Sequence, residues 1–452
     1  MATTTPDDAF AAAPPARPAP VPASATTATA GAAIRDPRLD VFRGLAMFII
    51  LLAHTPGNAW TSWIPARWGF SDATEIFVFC SGMASAIAFG RTFDRMGWLL
   101  GTARVGYRVW QIYWAHVAMF FAIAAMLAGL DATGWHPDKI YIGTLNLVPF
   151  FEGVERGGEI VSTTADQMVG LLTLTYVPNY FDILPMYMTV LAMMPLVVAL
   201  GRASFPALAA LSLVVWLLAQ RALLEPLGLL DWHLHFPAEP WSDRNWFFNP
   251  FGWQLIFFTG FAFMRGWLPA PPVTPALLAL AGAVVVLCFL GSNVGFRLFN
   301  LDPVRDAYIA LTGCTETGFG RCNPVFDWRR ANGGWFNKSD FGPLRYVHFL
   351  ALAYLCWAAC GAGGRRLVAR GRGLGARAWD GTVAVVTKVG QQSLAVFVFG
   401  MVLARVNGWL LDVLGRDALT WAIVNLTGFG LLVACAHAAG WFKAQPWRRR
   451  RA

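Results

Sequence analysis

The sequence predicts an all-α fold: a polytopic inner-membrane helical bundle of about ten transmembrane helices, each near the ~20 apolar residues a bilayer requires, with N- and C-termini cytoplasmic. Three observations predict it. Hydrophobic residues make up 56% of the 452-residue chain and charged residues only 13%, against ~25% charged in a soluble domain. Long apolar stretches recur along the whole chain. The connectors between those stretches alternate in charge, as orientation in a membrane demands.

The stretches fall near 39–56, 73–90, 107–130, 182–200, 205–222, 251–267, 274–293, 343–361, 386–405 and 418–440. With the N-terminus inside, the cytoplasmic connectors should be short and basic. They carry Arg91, Arg95, Arg104 and Arg108, then Arg202, then Arg265, then the cluster from Arg365 to Arg377 with Lys388, and lastly the tail at 448–451. The three longest connectors, near 131–181, 223–250 and 294–342, fall outside and mix acids with bases. They exceed passive links and are rich in Trp, Tyr, Asn and Gly, including Trp135, Tyr141, Tyr180 and Trp335. Two readings stay open for these rings: an aromatic belt at the membrane surface, or a platform on which the apolar face of a sugar stacks.

The net charge of +9 does not point to nucleic acid, because the bases flank apolar segments instead of forming a patch of their own. Residues 1–33 are Ala-, Pro- and Thr-rich, without apolar periodicity. They read as a disordered tail and lack the charged start and apolar core of a secretory signal. The membrane domain is expected over 34–441, followed by a basic cytoplasmic tail at 442–452. Cys80, Cys288, Cys356, Cys360 and Cys435 lie in apolar runs and read as packing residues. Cys314 and Cys322 lie in an outer connector, where a disulfide and free thiols are both open readings.

Chemistry concentrates on the first helix. On an α-helix the eleven steps from Arg43 to His54 make three turns and ~20°, so both side chains share one face, ~16 Å apart along the axis. Ionisable groups inside a membrane mark function by default. The second helix runs antiparallel to the first, so its outer start, Phe70-Ser71-Asp72-Ala73-Thr74-Glu75, should lie near His54. Asp72 and Glu75 also fit a capping box, but a carboxylate near an imidazole would orient it and raise its basicity. Further polar residues open later helices: Asp182 with Tyr187, Asn249 with Gln254, and Asp340 with Arg345 and His348. A satisfied interhelical hydrogen bond accounts for Gln254 taken alone. Taken together, these residues predict one shared polar cavity open to the outside. His233 and His235 have no second ligand cluster, so no metal is expected. No phosphate loop, zincin helix or nucleophile elbow occurs.

The run Leu39-Asp40, Arg43-Gly44 and His54 resembles the membrane acyltransferase superfamily that O-acylates cell-surface sugars. The ordered runs 70–79, 182–187, 248–254, 342–350 and 390–397 look like its OpgC branch, with the likeness extending over about 35–440. The resemblance implies a bacterial inner-membrane O-acyltransferase. Such an enzyme moves an acyl group, succinyl by analogy, from a cytoplasmic acyl-CoA to hydroxyls of a periplasmic glucan, with no tightly bound cofactor. In that reading His54 is the general base, with Glu75 and Asp72 as the other catalytic residues that orient it. Arg43, Asp40, Ser71, Asp182, Tyr187, Asn249, Gln254, Asp340, Arg345 and His348 are the expected substrate-binding residues, and the Arg345 fork suits a succinyl carboxylate. The competing class is a transporter of a saccharide. Internal repeats with matched broken helices would mark one, and no two-fold self-similarity is seen.

Overall fold

The computed structural model describes residues 36–315, 322–369 and 371–448. The tail expected to be disordered at 1–33, Arg370 and the end of the basic tail lie outside the described residues.

Helix α1 (Pro37–His54) starts where start signals sit: the Asp36 carboxylate accepts from the Arg38 N–H, and Pro37 occupies the first turn. Helix α2 (Ala73–Ser85) passes through a π-helical turn at Ala86–Gly90 into α3 (Arg91–Ala132), which kinks at Gly97, where φ is 80°. Helices α4 (Ile183–Ala192) and α5 (Met194–Ala203) bend by 40° next to Pro195, which lacks the N–H that would continue the ladder. Then come α6 (Phe205–Leu218), α7 (Pro250–Arg265), α8 (Pro275–Leu290), α9 (Pro343–Cys360), α10 (Leu374–Gln391), α11 (Ser393–Leu414) and α12 (Ala418–Ala444). The first long connector folds back as an antiparallel hairpin of β1 (Val154–Arg156) and β2 (Glu159–Ser162), with Arg156 opposite Glu159. Its turn is Gly157-Gly158, both at positive φ, which a tight hairpin turn requires. In the third long connector Cys314 and Cys322 form a disulfide.

Helix α1 is the hub, packed against α2, α10 and α11. Glycines allow the closest approaches. A Cβ on Gly390 would stand 1.8 Å from the Asp40 carbonyl oxygen, and one on Gly44 2.0 Å from that of Val386, so α1 and α10 touch backbone to backbone. Gly82 and Gly260 do the same for α2 and α7. Small residues at such crossings are how membrane helices gain contact without a hydrophobic driving force.

Four segments are long and apolar enough to cross a membrane: Ala73–Ala132, Pro343–Cys360, Ser393–Leu414 and Ala418–Arg448. Two bent pairs, starting at Ile183 and Phe205, raise the number to six. Leu211, Leu213 and Val214 on α6 and Leu280, Val286 and Leu287 on α8 point outward and exposed, as lipid-facing side chains do. The molecule is a polytopic helical membrane protein. Against the ten expected stretches, 73–90 and 107–130 fall within the single segment Ala73–Ala132, α1 carries charges in its first turns, and α7 and α8 have only 16 residues each. One expected boundary is corrected outright. The stretch at 386–405 is two helices, broken at Gln392 (φ −108°, ψ 28°), with polar Ser393 starting the second.

Candidate active site

Helices α1 and α11 run parallel and touch at two levels. At the lower level the Arg43 guanidinium donates to the Ser393 hydroxyl. At the upper level the Arg405 Nη2 donates to the His54 carbonyl oxygen at 3.2 Å. The intervals, eleven residues on α1 and twelve on α11, rise ~16 and ~18 Å, so the two contacts stay in register. The stripe read from the sequence thus has a matching stripe on a second helix.

The His54 ring is held by its own helix. Its Nδ1 lies 2.9 Å from the Ile50 carbonyl oxygen. A carbonyl can only accept, so Nδ1 carries the proton and Nε2 keeps its lone pair. The ring meets Tyr180 edge to face at 5.3 Å. Tyr180 sits at φ 90°, a costly conformation for a residue with a side chain. Its hydroxyl donates to the Met401 carbonyl at 2.6 Å, and its face lies 4.4 Å from the Arg405 guanidinium carbon. Burial pushes the Tyr180 phenol up to about 12 against the pull of Arg405, so it stays a donor.

Beside His54 opens a cavity of about 280 Å³, lined also by Lys139, Tyr141, Arg405, Trp409 and Asp412. This is close to the lower end of small-molecule sites, ~300 Å³. Asp412 gathers the polar groups there. It pairs with Lys139, accepts from the Tyr141 hydroxyl at 3.1 Å and from Arg416 at 2.6 Å. Burial, then the Asp412 charge, pushes the Tyr141 phenol up to about 12.

The start of α2 forms a second cluster. The capping box is complete: the Thr74 N–H donates to Asp72 at 2.7 Å and the Asp72 N–H to Glu75 at 2.8 Å. Glu75, fully buried, also takes the Arg345 Nε at 2.7 Å and Nη2 at 2.6 Å on its other oxygen. Asp72 binds Lys338 at 2.7 Å and lies 3.4 Å from Arg345. Burial alone raises the Asp72 carboxyl, but Lys338 and Arg345 outweigh it and hold the group well below the usual carboxylate range. Two anions and two cations therefore cancel. His348 steadies the approach to this cluster. Its Nδ1 accepts from the Ser71 N–H at 3.1 Å and lies 2.7 Å from the Ser71 hydroxyl, with Gly69 pressed against the ring.

These contacts revise several expectations. Glu75 and Asp72 do not hydrogen-bond His54; the Ile50 carbonyl fixes its tautomer. The Arg345 fork is occupied by Glu75, so it is not presented to a substrate carboxylate. The remaining polar residues form separate joints. Both ends of the Gln254 amide bond Ser212 across α7 and α6. Asn249 caps α7 and bridges to the Leu234 carbonyl and Asp340. Asp182 accepts the Phe247 N–H at 2.9 Å, and Tyr187 packs between Phe77 and Phe257. Asp40 is buried where α1 meets α10. Of the expected site residues only His54 lines the cavity. Arg405 and Asp412 were missed, although ionisable residues in the apolar run of α11 are the signal that flagged His54. Lys139 and Tyr141 carried no signal beyond their outer connector. His233 bonds the Ala219 carbonyl and lies 3.6 Å from Asp340; among the described residues no cluster of three or more metal-ligating side chains occurs.

A helical membrane bundle with ionisable side chains gathered around an internal cavity defines a membrane protein with a functional site at that depth. The particular family follows from the sequence profile described as OpgC protein, which matches residues 35–444: the chain belongs to the OpgC family. It is thereby a multi-pass acyltransferase of the bacterial inner membrane, transferring an acyl group from acyl-CoA to periplasmic glucan. Neither curated proteins nor solved structures returned a match.

Proposed function

We propose that His54 is the general base of this transfer and that the acyl group is succinyl. His54 Nε2 takes the proton of a glucan hydroxyl as its oxygen attacks the thioester carbonyl. The carbon–sulfur bond breaks, and the CoA sulfur leaves with the proton returned from the imidazolium. The observation that carries this reading is the Nδ1 bond to Ile50, which leaves Nε2 unprotonated beside a polar cavity. Glu75, Arg345, Ser71 and His348 hold Asp72 in place and act as positioning residues.

The donor side is the lower end of α1. With about ten spans and both termini cytoplasmic, Arg43 faces the cytoplasm and meets the CoA moiety, whose phosphates the basic cluster around Arg365 attracts. The pantetheine arm then follows the α1–α11 seam toward His54, ~16 Å away. Succinyl rests on the family analogy.

The test is His54→Ala in a strain whose glucan is analysed by mass spectrometry. Acylated glucan should fall by at least ~100-fold, the lower end of general-base effects, while the protein level in the membrane stays unchanged. Wild-type acylation by the Ala variant would remove His54 from the chemistry.

A further inference from the structure

Arg345 is paired with Glu75 and Asp72, and Lys139 and Arg416 share Asp412. Arg405 is different. It lies mid-helix on α11, donates Nη2 to the His54 carbonyl and rests on the Tyr180 ring, and its Nε is buried with no hydrogen-bond partner among the described residues. No described carboxylate forms an ion pair with it. Three charged side chains line the cavity beside His54, and Asp412 is matched by Lys139, so the charge in excess is that of Arg405. An uncompensated cation at membrane depth is expensive and marks a counter-ion site.

We propose that Arg405 binds the free carboxylate of a dicarboxylic acyl donor, and so sets the donor preference of this enzyme. The inference rests on the function proposed above, that the donor is succinyl-CoA and that His54 is the base. In a succinyl group two methylenes separate the carboxylate from the thioester carbon, so a carboxylate on Arg405 leaves that carbon within reach of the neighbouring His54 ring. A planar guanidinium matches a carboxylate with two parallel hydrogen bonds. Tyr180, tied to α11 through the Met401 carbonyl, packs its ring against the guanidinium and fixes its position. Arg345, the candidate from sequence, has its fork closed by Glu75.

The test compares kcat/KM for succinyl-CoA and butyryl-CoA, which has the same chain length with a methyl in place of the carboxylate. Full-length protein in membrane vesicles is used with glucan as acceptor. In wild type succinyl-CoA should be preferred. In Arg405→Met the succinyl-to-butyryl ratio should fall by about 10- to 100-fold, the worth of a charged hydrogen-bonded pair, and Arg405→Lys should recover part of it. Equal loss for both donors would overturn the proposal and make Arg405 a stabiliser of the reacting oxyanion or of the fold. An unchanged ratio would overturn it too. Should the Met variant fail to accumulate, the ratio is read from Arg405→Gln against Arg405→Lys, and the same two outcomes decide. These outcomes separate from those of the underlying function. No succinyl preference in wild type removes the dicarboxylic donor itself. Acylation by His54→Ala removes the base while leaving the ratio measurable.

Discussion

Replacing Arg345 by Met should destabilise the bundle while leaving donor preference alone. Arg345 donates its Nε to one oxygen of Glu75 at 2.7 Å and brings Nη2 to 2.6 Å from the same oxygen in an ion pair, against a side chain with no exposed surface. Without Arg345 the carboxylate keeps only the Asp72 N–H on its other oxygen. Removing one partner of a buried pair costs about 3–5 kcal/mol, because the remaining charge is uncompensated. Glu75→Leu should cost less, since Arg345 keeps Asp72 at 3.4 Å. The double variant should fall short of the sum by ~2 kcal/mol or more, the coupling expected for direct partners. The assay is equilibrium unfolding of purified protein in mixed micelles with rising SDS fraction, followed by tryptophan fluorescence. Arg345→Lys should be unstable for the same geometric reason, with an unaltered succinyl-to-butyryl ratio. Additive single effects below ~1 kcal/mol each, or a changed donor ratio in the Lys variant, would refute the assignment of Arg345 to the scaffold.

Other outcomes follow from the same contacts. Gly390→Ala places a methyl 1.8 Å from the Asp40 carbonyl oxygen, so α1 and α10 must part; overpacking of this kind costs ~1–3 kcal/mol, read in the same unfolding assay. Asp72 is held below the usual carboxylate range, so its stabilising contribution is complete above its unfolded pKa, ~3.9. That contribution is lost as pH falls below this toward the folded value. Stability should therefore rise with pH through the acid region in wild type, and Asp72→Asn should flatten that limb. Tyr180→Phe removes the hydrogen bond to Met401; it should loosen Arg405 and lower the succinyl-to-butyryl ratio several-fold with little loss of butyryl transfer.

The Arg43-to-His54 stripe was legible because helical periodicity alone puts both on one face. The capping box at Asp72 and Glu75 was legible from its local spacing, and the OpgC family from ordered runs along the chain. The shared outer cavity was not. Gln254, Asn249, Asp182 and Asp340 look alike in sequence, as polar residues at helix starts, but each satisfies a different local neighbour. Arg405 was legible in principle, as a charge in an apolar run, yet nothing in the run says which helix it faces.

Sequence alone thus determined what depends on local order: a largely helical membrane protein, its first-helix stripe, the start of α2 and the family. Tertiary structure decided the pairings. It gave Glu75 to Arg345 instead of His54, gave the His54 tautomer to its own helix, and set α11 parallel to α1 so that Arg405 arrives beside His54. The reason is physical. Periodicity and capping act within a few residues, whereas a charge in a low-dielectric interior takes whichever partner the packing brings within hydrogen-bond reach, and residues 54 and 405 are 351 positions apart.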